Sequence, residues 1–196
     1  GTGAAIKSAI NTADEFAKMA QKTGVAVEAL RELNYAASLS DVSTDALGTG
    51  LKKLSQNMAL AADGSKEQAA AFAAIGVNVK QLDGTLKGAD TVVSEIAGKF
   101  AGLKDSSEKT AIAVALFGKA GADMIPLLNS GSAGLREMGD EARALGQVFS
   151  ADLAKNAEAF NDNLTRITAS AQGGAYAILN ELLPTLNLLT DKFFKA

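Results

Sequence analysis

The segment from Ala115 to Asn129, ALFGKAGADMIPLLN, decides the fold that we expect for this chain of 196 residues. Its first apolar residues belong to a helix, and Gly118 ends that helix because glycine readily adopts the backbone conformation found after a helix C-terminus. Pro126 suits the first turn of a second, short helix, where a missing N–H group costs little. The segment therefore predicts two packed helices joined by a tight turn.

The flanking sequence extends this helical pattern. Asp105 and Glu108 have the spacing of a capping pair and predict where the first of these helices begins. Upstream, from Ala4 to Lys22, apolar residues recur at three- and four-residue spacing, which is typical of one buried helix face. The same reasoning predicts further helices over about 27–39, 44–61, 65–76 and 90–103. We therefore expect an all-α fold.

A short stretch with strand character interrupts the helices. Val77, Asn78 and Val79 alternate between apolar and polar residues, and Asp83-Gly84 is a favoured two-residue turn. Residues 85–87 could form the returning strand. We expect a small β-hairpin near 77–87 that packs on the helices, since a lone hairpin is marginal in water.

These patterns predict three regions. An N-terminal helix covers 1–22, a compact helical domain with the hairpin covers 23–146, and an extended helix covers 150–196. The chain begins without Met and ends inside an apolar-periodic segment. We therefore expect it to be a fragment of a longer protein, with the last helix truncated at the fragment end.

The C-terminal region carries a heptad-like pattern. From Leu153 onward, apolar residues alternate at four- and three-residue spacing, which is typical of a helix that pairs along its length in a coiled coil. Gly173-Gly174 interrupts the pattern, and a second run follows with shifted phase. The candidate residues for self-association, called the seam here, are Leu153, Ala157, Phe160, Leu164, Ile167, Leu179, Leu182, Leu186 and Leu189. An amphipathic helix folded onto the preceding domain explains the pattern equally well.

Composition argues against catalysis. The chain has no His and no Cys, which removes the commonest general base, the commonest metal ligand and any thiolate. Carboxylate pairs such as Asp14-Glu15 and Asp140-Glu141 fall on predicted polar helix faces. Gly118-Lys119 lacks the upstream glycine and the following Ser or Thr of a phosphate-binding loop. We predict no enzymatic activity, no cofactor and no metal site.

Charge and hydropathy bear on larger partners. A net charge of −3 does not favour nucleic-acid binding. From Ile167 to Thr190 the only charged residue is Glu181, so this stretch approaches membrane-spanning length. Polar asparagines and Pro184 interrupt it, and we expect an amphipathic helix that meets a partner rather than a transmembrane helix.

Three stretches resemble a known family: 116–129, the segment GLREMGDEARALG at 134–146, and AFNDNLTRI at 159–167. Weaker likeness covers 23–30 and 51–55. In their order and spacing these stretches resemble the tail tape-measure proteins of long-tailed bacteriophages and prophages.

The resemblance implies a structural role. Proteins of that family lie in several copies inside the tail tube, set tail length, and are released on infection to help DNA cross the host envelope. It implies contacts with tail-tube and tail-tip proteins and, on infection, with the host envelope. The heptad pattern adds self-association through the C-terminal helix, and the net charge adds that no direct nucleic-acid binding is expected. The resemblance also implies location in the lumen of the virion tail, and in the host cytoplasm during assembly.

Two other readings of the sequence stay open. Ala- and Gly-rich helical domains also occur in membrane-active, pore-forming proteins, although the two uninterrupted spanning segments that these need are missing. A helical protein-binding domain without a viral role is the third possibility.

Overall fold

A computed structural model describes residues 1–169 and 175–194, and for 175–180 and 193–194 the backbone only. Over these residues the chain is helical and has no strand, so the predicted all-α class is confirmed. The helices are α1 (Thr2–Thr23), α2 (Val27–Leu39), α3 (Thr44–Ala62), α4 (Lys66–Ala73), α5 (Ala89–Phe100), α6 (Ser107–Phe117), α7 (Gly121–Leu128), α8 (Gly131–Ala144), α9 (Ala151–Ala169) and α10 (Ala175–Phe194), with a 3₁₀ turn at Gly118–Ala120.

Contacts divide the chain into two compact units. The central unit comprises Ala20–Val148, and the terminal unit joins Gly1–Met19 to the described residues from Phe149 onward. Helix α1 thus begins in the same unit as α9 and α10, a grouping that the sequence pattern had not indicated.

Helix α3 organises the core of the central unit. It contacts α2, α4, α5, α6 and α7. The spacing of its apolar residues places one side of the helix in the interior, where Leu47, Leu51, Leu54 and Met58 are almost completely buried. At full burial, each such side chain contributes on the order of 1.5–3 kcal/mol.

The segment at 115–129 folds as two helices around a tight turn, as its sequence predicts. Helix α6 ends at Phe117, and Gly118 follows with φ of 69°, a conformation that strains other residues. The buried Asn57 side chain of α3 donates to the carbonyl oxygens of Ala115 and Leu116 at 3.1 and 3.0 Å. These bonds satisfy carbonyls that the end of α6 leaves without helical partners.

The start of α6 differs from the predicted capping pair. Ser106 is the N-cap residue, and its hydroxyl accepts from the Lys109 backbone N–H at 3.1 Å. Asp105 instead accepts from the Lys109 ammonium group at 3.0 Å. The serine lies one residue closer to the first helical turn, which leaves the aspartate to pair with the lysine side chain.

The predicted β-hairpin at 77–87 is not supported. This segment contains one antiparallel bridge, between Lys80 and Leu86, and no strand. The Gly84 N–H donates to the Gln81 carbonyl at 3.0 Å, so the turn is centred on Leu82-Asp83 rather than on Asp83-Gly84. The paired arms are too short for strands, and no neighbouring strand is described that could extend them.

The predicted C-terminal coiled coil is also not supported. Helices α9 and α10 contact each other within one chain. Their buried residues join Ile10 and Ala13 of α1 in one apolar cluster. The seam therefore buries much of its apolar surface inside the chain, but against α1 rather than against the preceding domain, where the alternative placed it. The interruption at Gly173-Gly174 lies outside the described residues.

Candidate functional site: an assembly surface on the terminal unit

The first seam residues lie in the interior of the terminal unit. Leu153 is 7% exposed and Ala157 is fully buried. Both pack with Ile10 and Ala13 of α1 and with Leu189 of α10. Leu153 lies near the start of α9 and Leu189 near the end of α10, so these two helices run back on each other. These side chains are not available to a second chain.

Helix α10 likewise has both buried and exposed leucines. Leu182 and Leu189 are buried, Leu186 is half-buried, and Leu179 lies where side chains are outside the described part. Two leucines that the seam did not include face solvent: Leu183 is 51% exposed and Leu188 is 43% exposed. Leucine spacing alone could not show this, because an all-round apolar helix has no unique buried face.

The rest of the α9 seam remains open. Leu164 is 38% exposed, and Ile167 is half-buried. A shallow groove here is lined by Asn161, Leu164, Thr165, Thr168 and Ala169. Phe160 is half-buried but packs against the cluster of α1, α9 and α10. We call Leu164, Ile167 and this groove the open seam.

A polar cluster sets the register between α1 and α9. The Asn161 amide donates to Asp14 Oδ2 at 2.8 Å and to Asn11 Oδ1 at 3.3 Å. The Lys18 ammonium group lies 3.0 Å from the same Asp14 oxygen, and this hydrogen bond raises the pKa of Lys18 above its ordinary value. A one-residue shift of α9 would break these bonds, so the cluster favours a single packing.

Asp14 differs from its predicted place on a solvated helix face. Its residue is 8% exposed, and its Oδ1 atom is buried with no hydrogen-bond partner in the described part of the protein. The sequence had no signal for this burial, because the residues that cover Asp14 come from the other end of the chain. The buried Asp14 carboxylate therefore favours one specific packing of α1 against α9.

A second buried polar group lies in the central unit. Lys109 is 3% exposed, and its ammonium group donates to the Leu103 carbonyl at 2.9 Å and to Asp105. It also lies 5.8 Å from the centre of the Phe100 ring. The Lys109 hydrogen bond lowers the pKa of Asp105. The Lys109 side chain therefore holds the α5–α6 connection against α6, which is a structural role.

The residues screened for chemistry are spread over several helices. Among the described residues, no group of three or more His, Cys, Asp or Glu side chains could hold a metal ion. Lys119 and Asp123 are exposed, and Glu32 forms an ion pair with Arg143.

One described stretch, Ser107–Leu128, is long and apolar enough to cross a membrane by length and composition alone. It consists of α6, the 3₁₀ turn and α7, so Gly118 breaks it. In its most apolar window 44% is buried within the protein. Core helices of folded domains also meet this criterion, so the stretch is weak support for a membrane span.

The described residues thus form an all-α protein. The family described as phage-related minor tail protein matches residues 2–118. No curated protein and no solved structure matches the chain. Because the match covers more than half of the sequence, the chain belongs to the family of phage-related minor tail proteins. It is a component of the virion tail, in a family whose role is structural.

Proposed function

We propose that the chain is part of a tape-measure protein, which organises polymerisation of the tail tube, sets tail length and is released to assist DNA passage into the host. The observation that carries the proposal is the family match over residues 2–118. The described residues are helical, but they form two compact units, so the extended helix that measures length, at about 1.5 Å per residue, is not among them.

The two units have different roles in this proposal. The central unit, Ala20–Val148, has many short helices folded around α3 and cannot act as an extended ruler. It is a folded body that meets other tail components. The terminal unit carries the open seam and brings copies of the chain together.

The partners follow from these roles. Copies of the chain associate through Leu164 and Ile167, where α9 leaves apolar surface open. Tail-tube and tail-tip proteins surround the copies, and the host envelope is met on infection. The protein acts in the lumen of the virion tail and is present in the host cytoplasm during assembly.

Purified tails test the location. In tails from the phage or prophage that encodes the chain, mass spectrometry should detect peptides from residues 1–169. Protease should cleave the chain only after the tubes have been opened, while a protein on the outside of the same tails is digested at once. Absence from the tails, or digestion in intact tubes as fast as that of the outer protein, would contradict the proposal.

A further inference from the structure

A fully exposed leucine lies at the tip of a well-braced turn in the central unit. Leu82 has no covering side chains, and it is a central residue of the turn from Gln81 to Gly84. An isolated exposed leucine is ordinary on a mobile loop. Here, however, the surrounding backbone is held in one conformation.

Three kinds of contact and a glycine with positive φ hold this turn. The Gln81 N–H donates to the Thr85 carbonyl at 2.8 Å, and the Lys87 N–H donates to the Val79 carbonyl at 2.9 Å. Asp83 Oδ1 accepts from the Thr85 N–H at 2.9 Å and from its hydroxyl at 2.6 Å. Gly84 has φ of 87°. The Lys87 ammonium group lies 2.8 Å from Glu95 Oε1 on α5, which ties the turn to the body of the unit.

An apolar groove begins beside the same turn. It runs between the end of α3, helix α4 and residues 77–80. Exposed alanines at 69 and 73 leave it open, and Phe72 and Val77 form its apolar floor. Lys80 lines one edge, two residues before Leu82. The protein therefore presents a leucine and an alanine-lined groove next to each other.

We infer that Leu82 of one copy binds in this groove of a second copy, in a reciprocal two-fold contact. A two-fold axis beside the turn places each leucine in the other copy's groove, because anchor and groove are adjacent. Charge complementarity favours a second copy as the occupant, since Asp83 beside the anchor then meets Lys80 at the groove's edge. Hydrogen bonds from Thr85 hold the pKa of Asp83 below its ordinary value.

The anchor needs little reorganisation to bind. Ordering a loop on binding weakens association, and the braced turn avoids that loss. The contact is small compared with the roughly 1,600 Å² of a standard interface, so it forms at high protein concentration. It uses a different unit from the open seam and is independent of it.

Cysteine cross-linking tests the geometry, since the chain has no native Cys. Chains with Leu82→Cys are mixed with larger, tagged chains that carry Ala73→Cys, and a short bismaleimide is added. Both proteins also carry Leu164→Asp, which prevents association through the open seam. The control replaces Leu82→Cys by Leu145→Cys, because Leu145 is another exposed leucine of the central unit. The 82–73 product should clearly exceed the 145–73 product, and equal yields would overturn the inference.

Sedimentation equilibrium gives an independent readout in the same Leu164→Asp background. Leu82→Ser should weaken dimerisation roughly 100- to 10,000-fold, because the reciprocal contact then loses two buried leucine side chains, each with an expected factor of roughly 10 to 100. Leu145→Ser should leave it unchanged. A protein that stays monomeric at the highest concentration reached, or a Leu82→Ser variant that dimerises as before, would overturn the inference without affecting the proposed tail function.

Discussion

At the scale of single residues, the junction between α6 and α7 depends on how closely two backbones approach. A Cβ atom at Gly121 would collide with the Ala113 carbonyl oxygen, which belongs to the backbone of α6 and cannot rotate away. Gly50 of α3 has a comparable role, where a Cβ atom would meet the Met124 sulfur. Small residues therefore bring α3, α6 and α7 into close contact, and they explain part of the chain's unusual Gly and Ala content.

The Gly121 contact leads to a stability prediction. Gly121→Ala should lower the free energy of unfolding by about 2 kcal/mol or more, because overpacking against backbone forces α7 to shift. Urea unfolding followed by circular dichroism measures the change. Gly3→Ala in α1 is the matched control, since no atom lies within 4 Å of the added Cβ, and it should change stability little. Equal losses in both variants would contradict this account of the junction.

Sequence reasoning succeeds for residues whose environment is local. Gly118 follows α6 with positive φ, as its position in the pattern indicates. It fails for Asp14 and Lys109, which look like ordinary surface charges but are buried. Asp14 is covered by Asn161, which lies far along the chain and donates a hydrogen bond to it. No local sequence pattern indicates that these two residues meet.

At the scale of elements, the heptad pattern of α9 correctly marks an apolar side of the helix, and part of that side packs within the same chain. Apolar spacing predicts which side of a helix avoids water, and it does not say what covers that side. Leu153 and Ala157 are covered by α1 and α10, whereas Leu164 stays partly open. In the turn at 81–84, the geometry depends on hydrogen bonds, and the strand propensity of the flanking residues has little effect on it.

The open seam makes a prediction about self-association. Leu164→Asp should shift the protein toward monomer in sedimentation velocity, because it places a charge where two apolar surfaces would meet. Leu164 is a sharper choice than Phe160, which packs against the cluster of α1, α9 and α10 and would also perturb the fold.

Leu39→Asp is the matched control, since Leu39 is an exposed leucine of α2 in the central unit. It should associate like the unchanged protein. The seam proposal fails if the unchanged protein remains monomeric across micromolar concentrations, or if Leu164→Asp associates as strongly as the control.

At the scale of the whole molecule, the all-α class and the assignment to a phage tail protein could be predicted from sequence, whereas the grouping of helices into units could not. Residues 20–148 form a body around α3, and α1 joins α9 from the opposite end of the chain. Such long-range pairing depends on the shapes of complete helix faces. In the proposed function, the folded body contacts tail proteins and the open seam brings copies of the chain together.

The tape-measure role is the central claim, and tail length is its most direct measurement. The gene for the protein that contains this chain is deleted in its phage or prophage, and tails are measured by electron microscopy with and without a plasmid copy. The account predicts that, without the protein, tubes are absent or vary widely in length, and that the plasmid copy restores one length. Uniform tails of normal length in the absence of the protein would contradict it.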